Sequence, residues 1–279
     1  MSSIARFGQL QVELDFCLDH SLLKAISRHT RLIIIGDKDQ LPSVGPGNVL
    51  RDIINSGNSN IIYLNRNFRQ TKDSLIIENA YRINEGQDIE VKPFSEDLDF
   101  VLLKVNSEKQ AVEKILRIID YYKSDYHFNS LDFQVLVPMY RGVAGIDNIN
   151  EIIQSKFNPE PFILKKEKTV YKQWDKVMQL KNNYEKEVFN GENGIITDYN
   201  PEEQILYVNF DGNFIEYNKA DLDELTLSYA VSVHKAQGSE YDILIFVLLP
   251  SHSIMLNREL FYTAVTRTKR RIFLISDEP

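Results

Sequence analysis

Four stretches of this chain gather residue types that handle phosphate. In "SVHKAQGSE", Ser232, His234, Lys235, Gln237, Gly238 and Glu240 stand close together between apolar runs. A hydroxyl, an imidazole and an ammonium can all donate to phosphate oxygens, and a glycine lets the backbone approach a ligand closely. In "IIIGDKDQLPSVGPG", an apolar run delivers Gly36, Asp37 and Gln40 to its end. A glutamine beside an aspartate there can orient a water and sense a phosphate, though a plain turn accounts for the same residues equally well. "NIIYLNRNFRQ" places Arg66 and Arg69 directly after another apolar run, and "ELFYTAVTRTKRR" ends an amphipathic segment in Arg267. The arginine fork matches phosphate oxygens bidentately and stays charged, which suits it to clamp a transferring phosphoryl group. For Arg66 and Arg69 a surface ion pair is the alternative.

Those residues need a scaffold that brings strand ends together. "RLIIIGD", "NIIYLN", "LDFVLLKV", "DFQVLVPM", "YDILIFVLLP" and "RRIFLIS" are continuous apolar runs of strand length, with helical periods such as "EKQAVEKILRIIDYYK" between them. Apolar strands alternating with amphipathic helices predict an α/β fold with a parallel sheet covered on both faces. From about Lys165 to Glu224 the rhythm changes to short alternating strands punctuated by Asn-Gly, Asn-Pro and Asp-Gly turns. That pattern predicts a small β-barrel insert. Such an insert is expected to be self-contained, because a barrel closes its own edges and can enter and leave through neighbouring ends.

Composition sets outer bounds. The chain has 279 residues, 43% hydrophobic and 26% charged, which is ordinary for a globular protein. Cys17 is the single cysteine, so an internal disulfide framework and a cysteine-rich zinc site are excluded, and Cys17 is expected in the core. The default compartment is then reducing and cytoplasmic. No apolar run reaches spanning length and "MSSIARFGQL" lacks secretory order, so no membrane partner is expected. A net charge of −8 argues against a protein that coats nucleic acid broadly, but leaves room for a basic groove. Positive charge is locally dense in "TRTKRR" and in "KKEK", the latter reading as a solvated face.

Taken together, the clusters resemble the RecD-like superfamily 1B DNA helicases, the family of the exodeoxyribonuclease V alpha subunit. "GDKDQLPSVGPG" is similar to motif III, "LNRNFRQ" to motif IV, "VLVPMYRGVAGIDNIN" to the segment that follows it, "YAVSVHKAQGSEYD" to motif V and "LFYTAVTRTKRR" to motif VI. The resemblance covers nearly the whole chain. It implies a RecA-like, P-loop-NTPase-like motor domain 2A carrying an SH3-like 2B insert. The boundaries it implies are 1–56 for the tail of motor domain 1A, 57–160 and 227–279 for 2A, and 161–226 for 2B. It further implies that Gln40, Arg69 and Arg267 act on the γ-phosphate of ATP, with Gly36, Asp37, Gly238 and Glu240 near the nucleotide. Pro42, Ser43, Ser232, His234 and Lys235 would contact single-stranded DNA.

Part of the family's machinery is not in this sequence. The string G-x-x-x-x-G-K-[ST], whose amides cradle phosphates and whose lysine and hydroxyl serve the γ-phosphate and magnesium, does not occur. "FGQLQVELDFCLDHSLLKAI" lacks the Asp-Glu-x-Ser-Met pattern that would hold Mg2+, so metal ligands are not expected in this chain. The expectation is a chain that starts near the end of the first motor domain and needs a missing half, or a RecBC-type complex, to complete an ATP site. A non-catalytic DNA- or partner-binding remnant is the rival reading. Retention of Gln40, Arg69 and Arg267, which a pure binder has no chemical need to keep, favours the enzyme lineage.

Overall fold

The computed structural model describes residues 16–27, 29–43, 45–64, 74–93, 95–124, 130–166 and 168–277. The chain divides into two compact units, Met1–Phe68 and Arg69–Pro279.

In the first unit the described residues form helices α1 (Phe16–Ala25) and α2 (Val49–Asn55) and no strand. Among the described residues the expected strand "RLIIIGD" joins no ladder, with Ile33 75% and Ile35 84% exposed. The described part of "NIIYLN", 60–64, behaves alike, Ile62 being 85% exposed. High β propensity does not make a strand without a neighbouring ladder, because its value lies in cross-strand packing and burial. Cys17 is also corrected: it is exposed on α1, among whose described side chains none is buried.

The second unit realises the α/β expectation. Its elements begin with α3 (Leu75–Asn84), β1 (Phe100–Lys104), α4 (Glu108–Lys123), β2 (Phe133–Leu136) and α5 (Ile146–Phe157). An antiparallel part follows, made of β3 (Phe162–Lys166), β4 (Thr169–Lys172), β5 (Lys176–Gln179), β6 (Asn193–Asn200), β7 (Ile205–Phe210), β8 (Asn213–Tyr217) and β9 (Leu225–Leu227). The chain then returns through β10 (Ala230–Val231), β11 (Tyr241–Leu248), α6 (Arg258–Thr266) and β12 (Thr268–Ser276).

One sheet runs β1-β12-β11-β2-β10, parallel throughout. Its central strands are buried on both faces, which is what continuous apolar runs require. Helix α4 turns Ala111, Val112, Ile115, Ile118 and Ile119 inward at helical spacing, and Ser107 Oγ caps it by accepting from Gln110 N. On α6, Phe261 meets Phe246 of β11 with ring centroids 5.8 Å apart. The edge strand β10 has its outer side closed by a side chain: Asn150 of α5 accepts from Ala230 N and donates to Ala230 O, both at 2.9 Å. This amide substitutes for the next strand.

The insert builds a five-stranded sheet, β8-β7-β6-β5-β9, antiparallel in every pair, with the β3–β4 hairpin separate from it. Val177, Ile196, Leu206, Val208, Ile215 and Tyr217 belong to its own apolar core. It is not self-contained, however. Lys176, at the start of β5 and 1% exposed, points its ammonium at Ser130 O (3.0 Å), Phe133 O (2.7 Å) and Gln134 Oε1 (3.0 Å) of the parent domain. The neighbouring Asp175 accepts from Gln154 (2.6 Å), Asn158 (2.8 Å) and Tyr229 (2.9 Å), again outside the insert's strands. Buried polar groups must be paired, and here the partners of each side lie on the other, so the insert and the motor share one seam. Turn signals mark where a module begins and ends in sequence but carry no information on whose polar groups satisfy whose.

Candidate functional site: a turn that joins opposite sheet edges

The segment from Ser232 to Glu240 leaves the C-terminal end of β10 and enters the N-terminal end of β11. Both strands pair with β2 in parallel, Val231 facing Leu136 and Ile243 facing Phe133. The segment must therefore travel from one edge of the sheet to the opposite edge without a full helix between. A short 3-10 turn, His234–Ala236, starts the descent, and Ser232 Oγ accepts from Lys235 N at 3.3 Å to hold it. Ser232 is buried while His234 and Lys235 are half-buried. At the far end Gly238 has φ +81°, a conformation that a side chain resists, and both Gly238 and Glu240 are exposed.

Arg267 is the one residue between α6 and β12. It stands at the N-terminal edge of β12 and is only 7% exposed. Its Nη1 donates to Ser239 O at 3.4 Å, and its carbonyl accepts from Tyr241 N at 2.9 Å. The arginine is thus fixed to the lower end of the crossing segment. Six expected residues of the second unit then fall in two groups: Ser232, His234 and Lys235 toward the C-terminal edge, Gly238, Glu240 and Arg267 toward the N-terminal edge.

In the first unit, Gln40 Nε2 donates to Asp37 Oδ2 at 3.1 Å and Asp39 N donates to Asp37 Oδ1 at 3.0 Å, a compact turn that follows Gly36. Arg51 of α2 donates to Lys38 O at 2.9 Å and ties that turn to the helix. A Cβ on Gly36 would meet Leu50 at 2.8 Å, so the backbone passes α2 at glycine distance. Pro42 is exposed and Ser43 half-buried. Arg66 and Arg69 lie outside the described residues. Of the "KKEK" run, Lys165 and Lys168 are exposed and Lys166 pairs with Asp223 at 2.5 Å.

Sequence reasoning missed the residues that hold the upper edge. The carboxylate of Glu108, at the start of α4, accepts from Val143 N (3.0 Å) and Ala144 N (3.2 Å) in the loop after β2. Hydrogen bonds from Ser251 and from these amides keep the Glu108 carboxyl below the usual range, against the opposing effect of burial. Burial pushes the Lys176 ammonium down to about 7. It pushes Asp175 upward despite its donors. A lysine at the head of an apolar strand was the one available signal for the seam, and it reads as a solvated face.

Residues 149–210 match the family described as ATP-dependent RecD-like DNA helicase SH3 domain, and residues 227–275 match the UvrD-like helicase C-terminal domain. Residues 15–102 match a family described as AAA domain. The ATP-dependent RecD2 DNA helicase of Deinococcus radiodurans is 34% identical over 253 residues, 91% of this chain and 33% of that protein. The chain belongs to the RecD-like helicase family. Its parallel-sheet body is the family's RecA-like motor fold and its β-rich insert is the SH3-like module. The RecBCD enzyme subunit RecD of Mycolicibacterium smegmatis is 27% identical over 281 residues, 92% of this chain and 47% of that protein. The chain therefore spans a third to a half of the length of these relatives. A solved structure of two Pif1 helicases at forked duplex DNA aligns with a TM-score of 0.47 and 19% identity, over 87% of this chain and 59% of that one. Among the described residues no helix is long and apolar enough to cross a membrane.

Proposed function

We propose that this chain supplies the second motor domain and the SH3-like module of an ATP-dependent, 5′→3′ DNA helicase that moves along single-stranded DNA. In this reading residues 1–56 are the tail of the first motor domain, 57–160 and 227–279 form the second, and 161–226 form the SH3-like module. Ser232, His234 and Lys235 contact the strand, and so do Pro42 and Ser43 of the first motor domain's tail. Arg267, with Arg69, reaches a nucleotide that a first motor domain holds, Gln40 links that nucleotide to the strand, and Gly36, Asp37, Gly238 and Glu240 lie beside it.

What supports this most is the crossing segment. A translocating motor must couple a nucleotide to a strand, and here a single turn joins the candidate strand contacts at one sheet edge to an anchored arginine at the other. Arg267 stabilises transferring charge electrostatically, and that contribution needs the phosphates already held in place. In this reading they are held by another domain, because the phosphate-cradling string is absent from the sequence. Nucleotide and Mg2+ would be bound by a first motor domain, whether on the same polypeptide, on a separate half or within a RecBC-type complex, and no hydrolytic step is assigned to the residues present.

Steady-state ATPase assays test the nucleotide half: the chain alone should hydrolyse ATP no faster than its Arg267→Ala variant, with or without single-stranded DNA. A DNA-stimulated rate that Arg267→Ala abolishes would overturn it. Fluorescence anisotropy of a labelled oligonucleotide across a salt series tests the strand half. Each phosphate neutralised on a single strand contributes roughly 0.7 to the logarithmic slope. Lys235→Ala should flatten the slope by up to about 0.7, and Lys168→Ala should leave it unchanged. Equal losses from both would mean diffuse electrostatics and would remove the strand assignment.

A further inference from the structure

Strands β2 and β10 are parallel neighbours, so the loops that follow them emerge side by side at the C-terminal edge of the sheet. Ligands of open α/β sheets gather at that edge. The loop after β10 carries Lys235. The loop after β2 carries Tyr140, a residue 47% exposed, with the Lys235 ammonium over its ring at 6.0 Å from the centroid.

This second loop is built to stay still. Glu108 takes two consecutive amides, from Val143 and Ala144. Ile146 N donates to Met139 O at 3.0 Å and Asp147 N to Tyr140 O at 3.2 Å, closing the loop onto the start of α5. A Cβ on Gly145 would lie 2.6 Å from Tyr140 O and 2.5 Å from Arg141 C, so the tyrosine's backbone packs against a position that only glycine permits. The backbone that carries Tyr140 is thus fixed, and its aromatic ring is presented half exposed at the surface. Exposed aromatics beside cations are how sequence-tolerant sites hold a single strand: the base stacks on the ring while the cation takes the phosphate.

We propose that Tyr140 is a base-stacking platform, working with Lys235 as one nucleotide subsite of the single-strand path. The proposal rests on the strand-binding reading above and adds to it a contact with a base rather than a phosphate. Because stacking uses a ring face that every base possesses, the subsite is tolerant of sequence but intolerant of a missing base.

The test is anisotropy with an oligothymidylate of about 12 nucleotides and with versions carrying one abasic position at a time. Tyr140→Ala should weaken binding by roughly 5- to 100-fold without changing the salt slope, and Tyr140→Trp should retain it. One abasic position should weaken the wild type by a similar factor and cost the Tyr140→Ala variant nothing further, as expected when ring and base form one coupled pair. Because the ring is exposed, circular dichroism and thermal unfolding should be unchanged. If Tyr140→Ala stays within about twofold of wild type while Lys235→Ala flattens the salt slope, the strand reading stands and the stacking platform is wrong. If Tyr140→Ala flattens the slope with no abasic coupling, the ring only positions Lys235 and the proposal falls. If neither variant alters binding, or the oligonucleotide does not bind, strand reading and platform fail together.

Discussion

"RLIIIGD" and "YDILIFVL" are made of the same kinds of residue, yet they end in opposite states. In the second, Leu244, Ile245, Phe246 and Val247 of β11 are fully buried between β12 and β2. In the first, Ile33 and Ile35 face solvent and no ladder forms among the described residues. The difference is not local propensity, which both possess, but the presence of a partner on either side. Parallel pairing is non-local, so an apolar run buries its side chains only where the chain brings a neighbour alongside.

Amide exchange should break the two apart most widely. Residues 244–247 should exchange only with global opening, slowed by roughly 10^3-fold or more, whereas 33–35 should exchange near the unfolded rate. Equal protection would mean that the first run has found a complete home.

Truncation comes next. Phe246→Ala removes a buried ring packed on Phe261 and should cost about 3–5 kcal/mol in denaturant unfolding, while Ile35→Ala should fall within about 0.5 kcal/mol of wild type.

The seam between insert and motor sharpens the comparison, since it is a partner relation made of polar groups. The Lys176 pKa lies below its unfolded value, at about 7 against 10.5, so between those limits the unfolded state binds more protons and stability rises with pH. Relative to Lys176→Met, the wild type should gain up to about 3 kcal/mol from pH 7 to 9.5, measured by urea unfolding. A gap that stays flat would mean that the three acceptors around Nζ keep the ammonium charged. The window ends before the buried Tyr171, Tyr217 and Tyr229, whose pKa values are raised by burial, begin to favour the unfolded state as its own tyrosines ionise.

The smallest expected effect is at Cys17. Its reaction with a thiol reagent should be nearly as fast in native protein as in urea, because α1 does not shield it.

What the sequence made legible follows the same division. The strands from Phe100 onward, helix Glu108–Lys123 and the turn-rich insert could be read because each pattern is periodic and each element found its partner. Cys17 was misread because burial is a property of neighbours that a single stretch does not contain, and "RLIIIGD", legible as an apolar run that needs outside neighbours, stays exposed for the same reason. At the site, the residues of the crossing segment and Arg267 were legible as a cluster of types, but not their separation to opposite edges, which depends on strand direction. Glu108, Tyr140 and Asn150 carried no local signal, and Lys176 only the ambiguous one of a charge at the head of an apolar strand, since their roles are contacts with residues distant in sequence.

The join between α6 and β12 has no slack, because Arg267 alone fills it. Directly after it β12 already takes up one extra residue, since Tyr241 faces Thr268 but Ile243 faces Arg271. An added residue that this irregularity did not absorb would either swing the guanidinium away from Ser239 or slide β12 by one position against β1 and β11, turning every side chain from Ile272 to Ile275 to the other face. The irregularity at the head of β12 is therefore the device that lets a fixed arginine and a fixed sheet register coexist.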